Sequence, residues 1–253
     1  MHTTGQVNQY LFNDIAKTTV LRRLRELEKN KFIQRILGLE NQQHLWALSG
    51  KGANLIGAEF IKGHWNKNIL DHDYKLLCLR LKLEELGIAH SWRPEHEIRS
   101  LIYRKYKAQE AHKKLIPDGL MTGLRAGNKE AIAIELELSL KNKSRIKEVL
   151  NRYQEKKDLG AVWYIASSST ILKAVLGLSK WPGLIASLFD EVMNNPNKAM
   201  IYSHRQRMLL MDYWQTKPAH LGALGVSTHH RMHDDHLESA NIDNHRNFIA
   251  RFP

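Results

Sequence analysis

Ala131-Ile132-Ala133-Ile134-Glu135-Leu136-Glu137-Leu138-Ser139-Leu140-Lys141 is the stretch on which the fold turns. Side chains of a strand alternate between its faces. Ile132, Ile134, Leu136, Leu138 and Leu140 therefore make one apolar face, and Glu135, Glu137, Ser139 and Lys141 occupy the other. Amphipathic edge strands with an outward face of this kind are common, so the strand alone does not define a site. Its upstream neighbour adds to it. Leu115-Ile116-Pro117-Asp118-Gly119-Leu120-Met121 reads as a second strand bearing one acid, and residues 122–129, with Gly123, Gly127 and Asn128, read as the connecting loop. In a hairpin, Asp118 and Glu135 are symmetric about the junction of Ala126 and Gly127, which places their side chains about 5 Å apart. Opposed carboxylates repel unless a cation lies between them, and Mg²⁺ favours such an all-oxygen environment. A divalent ion there would activate water and stabilise charge on a phosphate.

Positive charge surrounds these acids. Residues 99–114 carry Arg99, Arg104, Lys105, Lys107, Lys113 and Lys114 against Glu110, with Tyr103 and Tyr106 interleaved. Upstream, residues 71–86 have helical spacing with Tyr74, Leu77 and Leu81 inward and Leu70 as a further candidate. Gly87 ends that helix, and residues 88–93 form a strand closed by Pro94. Downstream, the pattern predicts a helix over 144–157 with Arg145, Lys147, Arg152, Tyr153 and Gln154, then a strand over 161–166 and a helix over 169–178. Turn signals at 181–183 and 194–197 bracket a helix containing Leu184, Leu188 and Val192. A last strand covers 199–202.

The 253 residues suffice for two small domains or one larger one, and 43% hydrophobic with 25% charged residues is a globular make-up. The net charge of +12 favours a polyanionic partner, because neutralised phosphates release counterions. Cys78, among leucines, reads as a buried structural thiol, and a single cysteine excludes an internal disulfide. The first residues lack a signal-peptide pattern. The most apolar stretch, 161–189, is broken by serines, lysines and Pro182 and reads as core rather than a bilayer span. These features predict a cytoplasmic protein with no membrane insertion.

At the N-terminus, Val20, Leu24 and Leu27 share one face of a helical pattern over 14–29. Asn13 or Asp14 is placed to cap one helix and Thr18 or Thr19 a second, whose solvent side carries Arg22, Arg23, Arg25 and Lys29. Residues 32–36 and 44–48 read as strands joined by a turn at 38–41, and Ser49-Gly50-Lys51-Gly52 opens another helix. Helix, basic helix, hairpin, helix resembles the winged helix-turn-helix, on the run Thr19-Val20-Leu21-Arg22-Arg23-Leu24-Arg25-Glu26-Leu27, then Phe32-Ile33 and Trp46-Ala47-Leu48-Ser49-Gly50-Lys51-Gly52. The resemblance implies that Thr18, Thr19, Arg22, Arg23 and Arg25 face a DNA major groove and that the wing touches backbone. The other reading is a solvated basic face on a module that contacts protein.

Pro117-Asp118, Glu135-x-Glu137 on an apolar strand and the basic helix after it resemble the PD-(D/E)XK restriction-endonuclease-like superfamily, with an agreeing element order over about 130 residues. The expected fold class is thus α/β: a winged helix-turn-helix over 1–66, a mixed-sheet nuclease-like core over 67–216, and a His-rich tail over 217–253. Together the two modules are similar to plasmid replication-relaxation proteins and the MOBC class of mobilization relaxases. That resemblance implies a Mg²⁺- or Mn²⁺-dependent nickase acting on double-stranded plasmid DNA at a transfer origin. Asp118, Glu135 and Glu137 would hold metal, and Lys141 would join the catalytic set. An accessory mobilization or coupling protein is the implied partner, and Arg104, Lys105 and Lys107 would add DNA contacts. One departure is clear. Ser139 stands where Glu-x-Lys would place lysine, so either Glu137 replaces it or Lys141, about 6–7 Å further along the face, reaches back.

The sequence lacks the His-apolar-His segment of two-histidine relaxases, Cys-x-x-Cys, a phosphate loop and a Gly-x-Ser-x-Gly elbow. Tyr153, Tyr164 and Tyr202 are available as nucleophiles, with core packing the favoured role for each. His220, His229, His230, His233, His236 and His245, with Asp234 and Asp235, match no specific metal-ligand spacing, which favours a tail that contacts DNA or another mobilization protein. A non-catalytic replication or transcription regulator and a restriction-type endonuclease are the competing functions.

Overall fold

A computed structural model describes residues 1–36, 44–58, 66–125 and 128–214. The predicted turn at 38–41 and the His-rich tail lie outside the described residues. The chain divides into two units, Met1–Leu81 and Lys82–Pro253.

The first unit runs β1 (His2–Thr3), α1 (Thr4–Leu11), α2 (Lys17–Lys29), β2 (Ile33–Ile36), β3 (Leu45–Leu48), α3 (Gly50–Leu55) and the start of α4 (Lys67–Glu85). Its strands form an antiparallel sheet in the order β1-β3-β2. Three expectations are corrected. The first helix begins at Thr4, because Thr3 and Gln6 close a reciprocal capping box. Asn13 and Asp14 lie in the turn after it, and α2 starts without a side-chain cap, so Thr18 and Thr19 are inside that helix. Leu27 is 42% exposed, since the partners of α2 (Val7, Trp46, Phe12, Ile15 and Ile33) meet Val20, Leu21 and Leu24 instead. Along α4, Leu70 is buried as anticipated, but the other buried leucines are Leu76, Leu79 and Leu83 rather than Leu77 and Leu81. Cys78 is half-buried and accepts a hydrogen bond from the Gln6 amide at 3.3 Å.

The second unit continues through β4 (Ser91–Pro94), α5 (Glu95–Lys105), α6 (Ala108–Ala111), β5 (Gly119–Arg125), β6 (Asn128–Glu137), α7 (Lys143–Gln154), β7 (Ala161–Ala166), α8 (Ser169–Leu176), β8 (Leu184–Leu188), α9 (Phe189–Asn194), β9 (Met200–Ser203), β10 (Arg207–Leu209) and α10 (Leu210–Tyr213). Seven strands form one mixed sheet, β10-β9-β8-β7-β6-β5-β4. The β6–β7 and β7–β8 pairs are parallel and the others antiparallel. The protein is therefore mixed α/β, with one large mixed sheet and one small antiparallel sheet.

The differences from sequence have physical causes. The hairpin connection is shorter than predicted, because Arg125 pairs with Asn128 and only residues 126 and 127 lie between them. Gly123 is not a loop glycine: a Cβ there would stand 3.0 Å from the Trp214 ring, so the strand needs a glycine to admit that indole. Residues 184–188 form a strand rather than a helix. Buried parallel strands read as continuous apolar runs, and the 184–188–192 spacing imitates a helical face. Leu115–Pro117 precede β5 instead of belonging to it, and β6 stops at Glu137, short of Ser139 and Lys141.

β6 has strands on both sides, so it is no edge strand, and both its faces are covered. On one face Leu120, Ala133, Val162, Tyr164 and Ala186 pack beneath Ile98 and Ile102 of α5, Ile146, Leu150 and Tyr153 of α7, and Ile171, Leu172 and Val175 of α8. On the other, Ile132, Ile134, Leu136 and Met121 are buried. Trp163 meets Trp214 at 5.3 Å between ring centres and donates to Ser187 at 3.0 Å. Among the described residues no helix is long and apolar enough to cross a membrane.

Candidate active site

The β5–β6 ladder pairs Gly119 with Ile134 and Leu120 with Ala133. Extending it by one residue sets Asp118 beside Glu135, the predicted register. Pro117 has no amide hydrogen to give a ladder, and the chain turns into β5 at this point. The Asp118 carbonyl accepts from the Glu95 N–H at 3.1 Å, and its carboxylate accepts from the Leu136 N–H at 2.8 Å. The acid is thus anchored to the main chain of the strand that carries the other two.

Glu135 lies opposite Tyr164 of β7, and Glu137 opposite Ala166. The Tyr153 hydroxyl, from α7, donates to Glu135 Oε1. Burial, with the Asp118 charge next and Glu137 adding to it, raises the Glu135 pKa from 4.5 to about 8, against the opposing effects of the Tyr153 hydrogen bond and Lys141. Burial and the neighbouring Glu135 also push the Tyr153 pKa well above its ordinary value, so this phenol keeps its proton. Glu137 is only 4% exposed, and Lys141 Nζ sits 3.0 Å from its Oε2. Lys141 reaches that position from the loop after β6, not along the strand face as expected. The chain bends at 138–139, and this brings position 141 back to 137. Ser139 is exposed.

A cavity of about 430 Å³ opens over the acids, with Asp118, Glu135, Glu137, Lys141 and Tyr164 in its lining. Its walls carry Arg99, Lys114, Arg145 and Arg152, together with Glu95, Glu148, Tyr103 and His112. Arg99 pairs with Glu95, Lys114 lies 4.2 Å above the Tyr106 ring, and Arg152 donates to the Lys113 carbonyl. Tyr103 and His112 stand edge to face, with the hydroxyl 2.9 Å from His112 Nδ1. Arg104, Lys105 and Lys107 are exposed and do not line the cavity.

Sequence reasoning did not single out Tyr153, Arg99, Lys114, Arg145 and Arg152 as site residues. Two signals pointed to three of them. Tyr153 occupies a core position of α7, in line with Ile146 and Leu150. Arg145 and Arg152 are seven residues apart and share a helix face.

In the first unit Thr18, Arg22, Arg23 and Arg25 are exposed and Thr19 is half-buried. Lys17, Leu21 and Arg25, four apart, line a separate cavity of about 320 Å³ with Arg35, His44 and Trp46, and Arg22 and Arg23 lie outside it.

The donor set of the acidic cavity is all oxygen, which suits Mg²⁺ or Mn²⁺. Among the described residues, however, no group of three or more His, Cys, Asp or Glu side chains is drawn into ligating positions. In this arrangement Glu137 faces the Lys141 ammonium, and Glu135 faces the Tyr153 hydroxyl. No family model, curated protein or solved structure matches the chain.

Proposed function

We propose that this chain is a Mg²⁺- or Mn²⁺-dependent DNA endonuclease, a relaxase that nicks one strand at a plasmid transfer origin to start mobilization. The observation that carries the reading is the extension of the β5–β6 ladder to Asp118 and Glu135, a carboxylate pair beside Glu137 in a cavity lined by five cationic side chains. An acid pair of this kind accepts a divalent cation, and the cations around it accept phosphodiester. A winged helix-turn-helix in the first unit and a PD-(D/E)XK-like core in the second are the family-level form of the proposal. The mixed sheet, the three-stranded antiparallel sheet and the basic helix α2 support it.

Asp118, Glu135 and Glu137 would hold the metal, which when bound supplies an activated water and charge neutralisation at the phosphate. Arg99, Lys114, Arg145 and Arg152 bind the phosphodiester chain and orient the scissile phosphate over the acids. The Asp118 carboxylate is kept in place by the Leu136 amide. Lys141, tethered to Glu137, is within reach of an incoming phosphate and can give up its carboxylate partner to bind it. Thr18, Thr19, Arg22, Arg23 and Arg25 dock the duplex, with Arg104, Lys105 and Lys107 extending the basic surface. The setting is cytoplasmic, with an accessory mobilization or coupling protein as partner.

The test is purified protein incubated with supercoiled plasmid carrying its transfer origin. Open circles formed only with divalent metal, and lost in Asp118→Ala, support the reading; nicking retained by that variant overturns the site. Cleavage of both strands of linear DNA would instead indicate a restriction-type enzyme. One observation favours a second reading, a DNA-binding regulator without catalysis: Lys141 and Tyr153 already satisfy two of the three acids. That reading predicts origin binding indifferent to metal and no cleavage.

A further inference from the structure

We infer that Tyr153 is the positioning residue of the acidic site, its hydroxyl holding the Glu135 carboxylate toward Asp118 so that the two can share a divalent cation. The inference rests on the metal-dependent reading above and assigns within it a role that none of the three acids performs.

The ring of Tyr153 is fully buried and continues the core stripe of Ile146 and Leu150 on α7. Packing asks only for a ring there, and phenylalanine would fill the same volume. The hydroxyl is the part that packing does not require, and it is spent on Glu135 Oε1. Without that donor the Glu135 carboxylate would lose a partner in a half-buried setting and would no longer be fixed against rotation. With it, one oxygen is pinned by a group that cannot itself move, because α7 is locked to the sheet by its apolar face.

The type of donor matters as much as its place. Glu137 is held by a cation, Lys141, that is 44% exposed and comes from a loop. An ammonium repels a metal ion and must withdraw to admit one. Glu135, beside Asp118, is held by a neutral hydroxyl. Such a donor orients a ligand without opposing the ion's charge, as outer-sphere hydrogen bonds do at metal centres generally. The site thus combines one contact from an exposed, displaceable lysine with one from a tyrosine fixed in the core.

The experiment is calorimetric titration of Mn²⁺ into the full-length wild type, Tyr153→Phe and Tyr153→Leu, with thermal melting of the metal-free proteins. Loss of an outer-sphere partner typically weakens metal binding about 10- to 100-fold. Tyr153→Phe should show that loss while still melting cooperatively. Tyr153→Leu should lose as much affinity and in addition melt at lower temperature, since it alone removes the ring. Wild-type affinity in Tyr153→Phe, or weakening confined to Tyr153→Leu in step with its lower melting temperature, overturns the positioning role and leaves the metal site standing. A wild type that binds no Mn²⁺ overturns the metal-dependent reading itself, and the inference with it.

Discussion

The basic helix α2 and the acidic strand β6 handle charge in opposite ways. On α2, Arg22, Arg23 and Arg25 project into solvent, where a guanidinium keeps its hydration and needs no fixed partner. On β6, Glu135 and Glu137 stand in the middle of a seven-stranded sheet, where a carboxylate must be matched. Glu137 has Lys141, Glu135 has Tyr153, and Asp118 beside them has the Leu136 amide. The first arrangement makes a field whose strength depends on how many charges it contains. The second makes a site, in which each atom depends on its neighbours.

The contrast is sharpest for activity. Replacing Glu135 by Ala should lower nicking by on the order of 10²–10³-fold or more, the scale for loss of one preorganised electrostatic partner, and leave DNA affinity near wild type. A filter-binding assay beside the nicking assay reads both, and loss of affinity with retained nicking would reverse the assignment of the two regions.

Stability should divide the same way. Gly123→Ala puts a methyl 3.0 Å from the Trp214 ring and 3.4 Å from the Ile88 carbonyl in the sheet unit. Overpacking of this kind typically costs about 1–3 kcal/mol. Urea denaturation should show it, and an unchanged midpoint would mean that Trp214 yields easily.

A third test uses pH. Glu135 binds its proton more tightly in the folded protein, at about 8, than its ordinary value of 4.5. Its stabilising contribution in the metal-free protein is therefore complete below about pH 4.5 and is lost as pH rises through 8. Melting curves from pH 5 to 9 should record the decline, and Glu135→Gln should remove that component. Added Mg²⁺ should raise the melting temperature more at pH 8 than at pH 6, because at pH 6 the ion must displace a proton.

The smallest effects belong to α2. Arg22→Ala and Arg23→Ala should each reduce the salt dependence of DNA binding by about 0.9 in log–log slope, with stability within roughly 0.5 kcal/mol of wild type. A larger loss of stability in either variant would show that α2 is built more like β6 than its exposure indicates.

Much of the acidic site was legible in the sequence. Strand parity placed Glu135 and Glu137 on one face, and hairpin symmetry about residues 126 and 127 placed Asp118 beside Glu135. Both are local consequences of backbone geometry. Lys141 was matched to the right acids by the wrong route: parity was carried past the end of β6, whereas a bend at 138–139 returns the lysine to Glu137. Residues 184–188 were misread because a doubly covered strand and a helix face can share the same apolar residues. Leu27 and Leu77 were expected inside because periodicity gives a face but not how far its partner extends.

What the sequence determined by itself was whatever depends on neighbours along the chain: the β5–β6 register, the opening of α3 at residues 49–52, the extent of β7 and the basic character of α2 and of residues 99–114. Tertiary structure alone decided which elements cover β6. With α5 and α7 over its acidic face, an apparent surface strand becomes the floor of a cavity, and Tyr153, Arg99, Arg145 and Arg152 are brought to acids from which they are separated along the chain. Packing between distant segments is what gathers the three carboxylates into one cavity, and no local pattern specifies it.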